Sequence, residues 1–239
     1  MPILFFQTAP TNEFPVNFPL GIGDLCKIYP GNIVVVAGAK SAGKTGFLLN
    51  LVKLNMNREG RTKKDIVYMN SEMGETELRI RLELFGDPPL EKWSFTPVMR
   101  SSHWADLITP EKKIFIVDYL EVVDDFYRIA GEIKAIHEKL REGICIIAIQ
   151  KDPDRDYGRG GTFSGEKSRL YVSLDQNRTK IVDAKAWRDS TRNPRGLIKN
   201  FKLIKGCNFS PCDDWHTQED EQAKTREEEG QKDRTNGNR

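Results

Sequence analysis

Eight consecutive residues, Gly38-Ala39-Lys40-Ser41-Ala42-Gly43-Lys44-Thr45, fit the pattern G-x-x-x-x-G-K-[ST]. Glycines in such a loop let the backbone turn its N–H groups onto phosphate oxygens. The lysine reaches the β- and γ-phosphates, and the threonine hydroxyl binds Mg²⁺. The chemistry this implies is binding of ATP with Mg²⁺. A second metal-facing carboxylate is needed, and Asp118 supplies it: it closes the apolar run Ile114-Phe115-Ile116-Val117, so the C-terminal end of a buried strand would deliver the acid to the ligand crevice. Hydrolysis further needs a group to orient and deprotonate water. Glu72 follows the apolar run Ile66–Asn70 and would emerge at the same edge. Tyr119, not an acid, follows Asp118, which favours Glu72 as base, with Glu121 as the rival. Gln150 ends another apolar run, where a neutral amide could sense the γ-phosphate and pass its state to the loop that follows.

Alternating elements must position these residues. Asn32–Ala37 is a nearly continuous apolar run, as expected of a buried parallel strand, and Gly46–Met56 has helical periodicity at Phe47, Leu48, Leu51, Val52 and Leu54. Strands are expected at Ile66–Asn70, Ile114–Val117 and Ile144–Ile149. Helices are expected at Glu75–Phe85, stopped by Gly86, and at Asp124–Arg141, with Phe126, Ile129, Ile133, Ile136 and Leu140 on one face. Strands alternating with helices predict an α/β fold with a mostly parallel central sheet flanked by helices. After the Gly/Asp/Arg-rich loop Asp152–Glu166, the runs Leu170–Leu174, Lys180–Ala186 and Leu197–Ile204 predict antiparallel C-terminal strands. The expected division is an arm over residues 1–31, an ATPase domain over 32–206, and a polar, disordered tail over 207–239, where apolar content is nearly lost.

Composition narrows the class. No run approaches the roughly 18 apolar residues of a membrane helix, no secretory leader is visible, and the four cysteines are too few for a disulfide framework. These features predict a cytoplasmic protein. The net charge of +2 is unevenly spread: residues 1–150 carry −1, residues 151–206 carry +7 and residues 207–239 carry −4. The basic segment is a footprint for an acidic polymer. Cys207, Cys212 and His216 are three potential metal ligands at irregular spacing, without an evident fourth.

With these residues in view, the chain resembles the RecA-like motor domain of DnaB-type replicative helicases. The likeness lies in Pro30–Gly38 running into the phosphate loop; in Asn70-Ser71-Glu72-Met73 with Arg79 and Arg81; in Ile116-Val117-Asp118-Tyr119-Leu120-Glu121 and Ala148-Ile149-Gln150; and in Ala184-Lys185-Ala186-Trp187-Arg188 with Pro194-Arg195-Gly196. The resemblance implies a RecA-like P-loop NTPase in which Glu72 is the catalytic base and Gln150 the sensor. It makes Lys185 and Arg188 finger residues that reach a neighbour's γ-phosphate. The family has one residue between these cations; here two intervene, and an unbroken strand would put them on opposite faces.

The resemblance further implies a hexameric ring around single-stranded DNA. The loop after Gln150 matches the family's main channel loop, where Arg155, Arg159 and Lys167 could neutralise phosphates, with Asp152, Asp154 and Asp156 interleaved. A second channel loop near Val122–Tyr127 is short. Only about 30 residues precede the motor region, against the family's N-terminal collar, so the expectation is a stand-alone motor, an incomplete chain, or a collar supplied by another protein; a primase or loader is a further expected partner. The expectation is thus a DNA-translocating or unwinding ATPase of bacterial or viral replication. A RecA-like filament enzyme of recombination or repair, a KaiC-like signalling ATPase, and an ATP-dependent module that binds a helicase partner stand as alternatives.

Overall fold

Strand β1, Ile33–Gly38, is apolar on both faces and every residue of it is buried. It lies inside the sheet, paired in parallel with β5 (Ile144–Gln150) on one side and β6 (Ser168–Asp175) on the other. The computed structural model describes residues 11–120, 126–223 and 226. They form a nine-stranded sheet in the order β3-β2-β4-β5-β1-β6-β7-β8-β9. Here β2 is Ile66–Asn70, β3 Thr96–Met99, β4 Ile114–Leu120, β7 Arg178–Ala184, β8 Ile198–Ile204 and β9 Asn208–Pro211. Pairing is parallel from β3 to β6 and antiparallel from β6 to β9. This is the predicted α/β architecture.

Two apolar layers cover the sheet. Alternate residues of β1 (Val34, Val36), β4 (Ile114, Ile116) and β5 (Ile146, Ala148) pack with helix α1, Lys44–Met56, and helix α2, Glu75–Glu83. The opposite set (Val35, Phe115, Val117, Ile147) packs with Ile129, Ile133, Ile136 and Leu140 of helix α3, Phe126–Lys139, and its C-terminal end. The period of two in the strands and of 3.6 in α3 thus close both cores. Leu54 departs from the expected apolar face of α1 and is exposed. Among the described residues, no helix is long and apolar enough to cross a membrane.

Three boundaries differ from the sequence reading. First, the described residues of the expected arm, from residue 11 onward (residues 1–10 lie outside the described residues), are not detached: Phe14, Phe18, Leu20, Ile22, Cys26 and Ile28 are buried in the α1-side core. Asn55 of α1 fastens them, accepting from the Asn17 amide and donating to the Asn17 carbonyl, both at 2.8 Å. Second, β3 was not expected. It is a short edge strand, and Pro97 is tolerated there because only one side of the strand is paired. Third, the fold continues beyond Gly206. Asn208–Pro211 pairs with β8, His216 exchanges backbone bonds with Ile198 at 2.8 and 3.0 Å, and Glu221 pairs with Arg178 at 2.9 Å. Two aromatics explain why so polar a segment folds: Phe209 sits 5.9 Å from Phe47 and 4.7 Å from Phe201, ring to ring, and Trp215 packs on the same core with its indole N–H donating to the Leu20 carbonyl at 3.1 Å. Residues 224–225 and 227–239 of the expected tail, and Glu121 and Val122–Asp125 of the expected second loop, lie outside the described residues.

Phe209→Ala is expected to lower unfolding stability by about 2–3 kcal/mol, less than for a sealed core phenylalanine because Phe209 is only half-buried. Urea denaturation checks this; an unchanged midpoint would mean that β9 is not part of the cooperative fold.

Candidate nucleotide-binding site

The chain leaves β1 at Gly38 and turns through the phosphate loop into α1. Gly43 adopts φ 93°, a left-handed conformation that favours glycine, and a Cβ there would press on the tip of Leu203 at 2.8 Å. The first N–H groups of α1 have no intrahelical acceptor and present partial positive charge at the loop. Lys44 folds back over the loop, its Nζ donating to the carbonyls of Gly38 and Ala39 at 3.1 Å each. Those oxygens stand where phosphate oxygens would compete. Burial holds the Lys44 ammonium below the ordinary lysine value, against the pull of Asp118 and Glu72.

Asp118 is buried near the end of β4, in register with Asn70 of β2. Its carboxylate accepts from Thr45 Oγ1 at 3.3 Å and from the Tyr68 hydroxyl. Burial pushes its carboxyl above the usual range, and these two hydrogen bonds resist the shift. Tyr68 is itself pushed far up, first by burial and then by the Asp118 charge, so it stays a donor. A hydroxyl and a carboxylate side by side form an all-oxygen donor set suited to Mg²⁺, which Thr45 and Asp118 would hold.

Glu72 is exposed at the cleft. Asn70, buried at the end of β2, aims it: the Asn70 Oδ1 accepts the amides of Glu72 at 3.1 Å and Met73 at 2.6 Å, while its Nδ2 donates to the Met73 carbonyl at 2.7 Å. The Ser71 amide bonds the Asp118 carbonyl at 3.0 Å, locking this turn to β4. Gln150 ends β5 beside Gly38. Together the phosphate loop, Glu72, Tyr119 and Gln150 line a cleft of about 640 Å³, with Arg81, Arg159, Leu203 and Gly206. The β8–β9 hairpin therefore forms part of the wall over the loop.

No family model and no curated protein sequence matches this chain. Solved structures do. The RadB recombinase aligns at TM-score 0.56 and 14% identity, over 77% of this chain and 92% of that one. A KaiC-like protein from the hyperthermophilic archaeon Pyrococcus horikoshii OT3 aligns at 0.55 and 14%, over 85% and 100%. A third structure, an isolated ATPase domain, aligns at 0.55 and 17%, over 77% and 86%. The fold is RecA-like.

Within this RecA-like sheet the remaining candidates separate. Lys185 and Arg188 follow β7, whose Ala184 pairs with Leu170, itself opposite Val34 at the start of β1. They stand at the end of the sheet away from their own phosphate loop. Lys185 is exposed and donates to the Glu166 carbonyl at 3.3 Å. Arg188 is engaged with the N-terminal segment: its guanidinium contacts the Gly23 carbonyl at 3.1 and 3.2 Å and the Glu13 carboxylate at 2.8 Å. Arg155 and Lys167 are exposed and outside the cleft, whereas Arg159 lines it. The three cations expected to act together on nucleic acid are thus divided. Among the described residues no group of three His, Cys, Asp or Glu side chains is placed to hold a metal, so Cys207, Cys212 and His216 do not assemble one.

Several site residues carried no signal of their own in the sequence. Tyr68 and Asn70 sit in an apolar strand run. Lys151, the residue after Gln150, reads as a loop cation but is buried, pairing with Asp175 at 2.5 Å, and its charge pushes the Lys44 value down.

The raised Asp118 carboxyl fixes the sign of a pH effect. The native state disfavours the charged form, so stability is fully present below the unfolded aspartate value of about 3.9 and is lost as pH rises through the native value. Asp118→Asn is expected to match wild type at about pH 4, to unfold at higher urea than wild type at neutral pH, and to lose Mg²⁺-dependent ATP binding. A neutral-pH midpoint below wild type would contradict this account of Asp118.

Proposed function

We propose that this chain is a Mg²⁺-dependent ATP hydrolase that works as a ring-forming motor on single-stranded DNA, of the replicative helicase type. The observation that carries the reading is the shared cleft in which Lys44, Thr45, Glu72 and Gln150 face one space with Asp118 behind Thr45. The continuity of Gln150 with the basic loop supports the DNA part: the strand that would sense the γ-phosphate runs straight into Asp152–Glu166.

The roles follow from chemistry. The loop amides and Lys44 bind the β- and γ-phosphates and orient the γ-phosphorus for in-line attack. Thr45 and Asp118 would hold Mg²⁺, which would supply neutralisation of the charge that develops on the phosphates. Glu72 accepts a proton from the attacking water as its oxygen bonds to the γ-phosphorus. The bond from that phosphorus to the β–γ bridging oxygen breaks, and the electron pair leaves on ADP, giving ADP and inorganic phosphate. Gln150 holds a γ-phosphate oxygen before the bond breaks and releases it afterwards, so the loop behind it takes two positions. Lys185 and Arg188 stand too far along the sheet to serve their own site; as fingers they would serve a neighbouring subunit.

A reading without DNA is favoured by one observation: aspartates partner several cations around the loop, Asp156 with Lys180 at 2.7 Å and Asp152 with Arg155 at 3.9 Å. Under that reading the chain is an ATP-dependent assembly or signalling module.

Glu72→Gln is expected to cut ATP turnover by at least ~100-fold while ATP-analogue affinity stays within about threefold. Single-stranded DNA is expected to stimulate wild-type turnover, and the stimulation to fall as salt rises. Turnover unaffected by Glu72→Gln would remove Glu72 as the base. Turnover indifferent to DNA at low salt would leave the assembly module.

A further inference from the structure

Arg159 lines the cleft but has no role in the scheme above. Gly158-Arg159-Gly160-Gly161 forms a tight turn in which Arg159 carries the sole side chain. The Gly161 amide donates to the Gly158 carbonyl at 2.9 Å, and Gly160 has φ 92° and ψ −5°. That geometry fits the third position of a type II turn, where glycine is needed, and Arg159 occupies the second, which accepts most residues. Gly158 is equally constrained: a Cβ there would meet Ile149 Cγ2 at 2.9 Å and the Gln150 carbonyl at 3.2 Å. Its amide is anchored on the Tyr171 hydroxyl at 2.9 Å, while the Arg159 amide bonds the Gln150 carbonyl at 2.8 Å. The turn is thus clamped to the end of β5 beside the phosphate loop.

The arginine it displays lines the nucleotide cleft together with Lys44, Glu72 and Gln150. Its guanidinium has no hydrogen-bond or ion-pair partner among the described residues. The other arginine of the cleft, Arg81, is paired with Glu77 at 2.8 Å, and Arg188 is held by Glu13 and Gly23 at the far end of the sheet. Transfer of a phosphoryl group spreads negative charge over its equatorial oxygens, and a guanidinium supplied from the same chain or from a partner stabilises it.

We infer that Arg159 contacts the γ-phosphate of the ATP bound to its own chain, as an arginine finger in cis, and is not a DNA-phosphate contact. The inference rests on the cleft being an ATP site. It also gives the loop a direct grip on the nucleotide, because Arg159 lines both the cleft and the hollow under the loop near Tyr157 and Phe163.

The test uses full-length Arg159→Gln and Arg159→Lys, with Lys44→Ala as the reference for a lost ATP site. Fluorescent ADP and a fluorescent, slowly hydrolysed ATP analogue are titrated in the absence of DNA. Arg159→Gln is expected to bind ADP as wild type does, to lose on the order of tenfold in affinity for the analogue, and to turn over ATP at least ~100-fold more slowly. Arg159→Lys is expected to regain part of the analogue affinity. Equimolar mixtures of Arg159→Gln and Glu72→Gln subunits are expected to show no more turnover than the separate variants, since in cis every site lacks one group. An unchanged analogue-to-ADP preference in Arg159→Gln, or turnover recovered on mixing, overturns the inference. Failure of ADP and analogue to bind wild type any better than Lys44→Ala instead overturns the ATP site on which it rests.

Discussion

One buried carboxylate, Asp118, ties the sheet to the phosphate loop. It joins three elements: β4 carries it, Tyr68 reaches it from β2, and Thr45 reaches it from the start of α1. The carboxylate is almost wholly withdrawn from water, and a buried charge is tolerated only where it is hydrogen-bonded or paired. Parallel pairing of β2 with β4 sets Asn70 beside Asp118, so the turn that aims Glu72 is built on the same two strand ends. Metal donor and candidate base are consequently positioned by one pair of adjacent strand ends.

The positive charges around it are arranged in depth. Lys44 lies over the loop, bonded to two carbonyls, and Lys151 lies behind it, paired with Asp175 at the end of β6. Burial disfavours charge on Lys44, and the nearby charge of Lys151 adds to that effect. A triphosphate would replace weak carbonyl acceptors with charged oxygens, so the loop is poised to exchange internal bonds for bonds to ligand. Nearer the mouth, the glycine turn of Arg159 and the β8–β9 hairpin bound the same space, which joins the nucleotide to the β5–β6 connection and to the antiparallel end of the sheet.

Much of this was legible in the sequence where a single physical signal dominates. Continuous apolar runs mark the strands buried on both faces, β1, β4 and β5, and the G-x-x-x-x-G-K-T spacing marks the loop. Legibility fails where the signal lies in contacts distant along the chain. Phe14, Phe18, Leu20 and Ile22 alternate at strand spacing, but Pro15, Pro19 and Gly21 between them speak against a strand, so their burial against α1 does not register as an element. β3 contains Pro97 and alternates half-buried with exposed residues, and β9 depends on one ring, Phe209, finding Phe47 and Phe201. Lys151 looks like a solvated cation because Asp175, its partner, is 24 residues away. Arg155 and Arg159 are indistinguishable by type and spacing; the turn clamped on Gln150 and Tyr171 separates them.

The central claim is that these elements form one Mg²⁺-ATP site. Calorimetric titration of the wild-type chain with a non-hydrolysable ATP analogue, with Mg²⁺ and then with a chelator, tests it most directly. The account predicts saturable binding of one nucleotide per chain that weakens at least ~10-fold when the metal is removed. Absence of saturable binding, or binding indifferent to Mg²⁺, would contradict it.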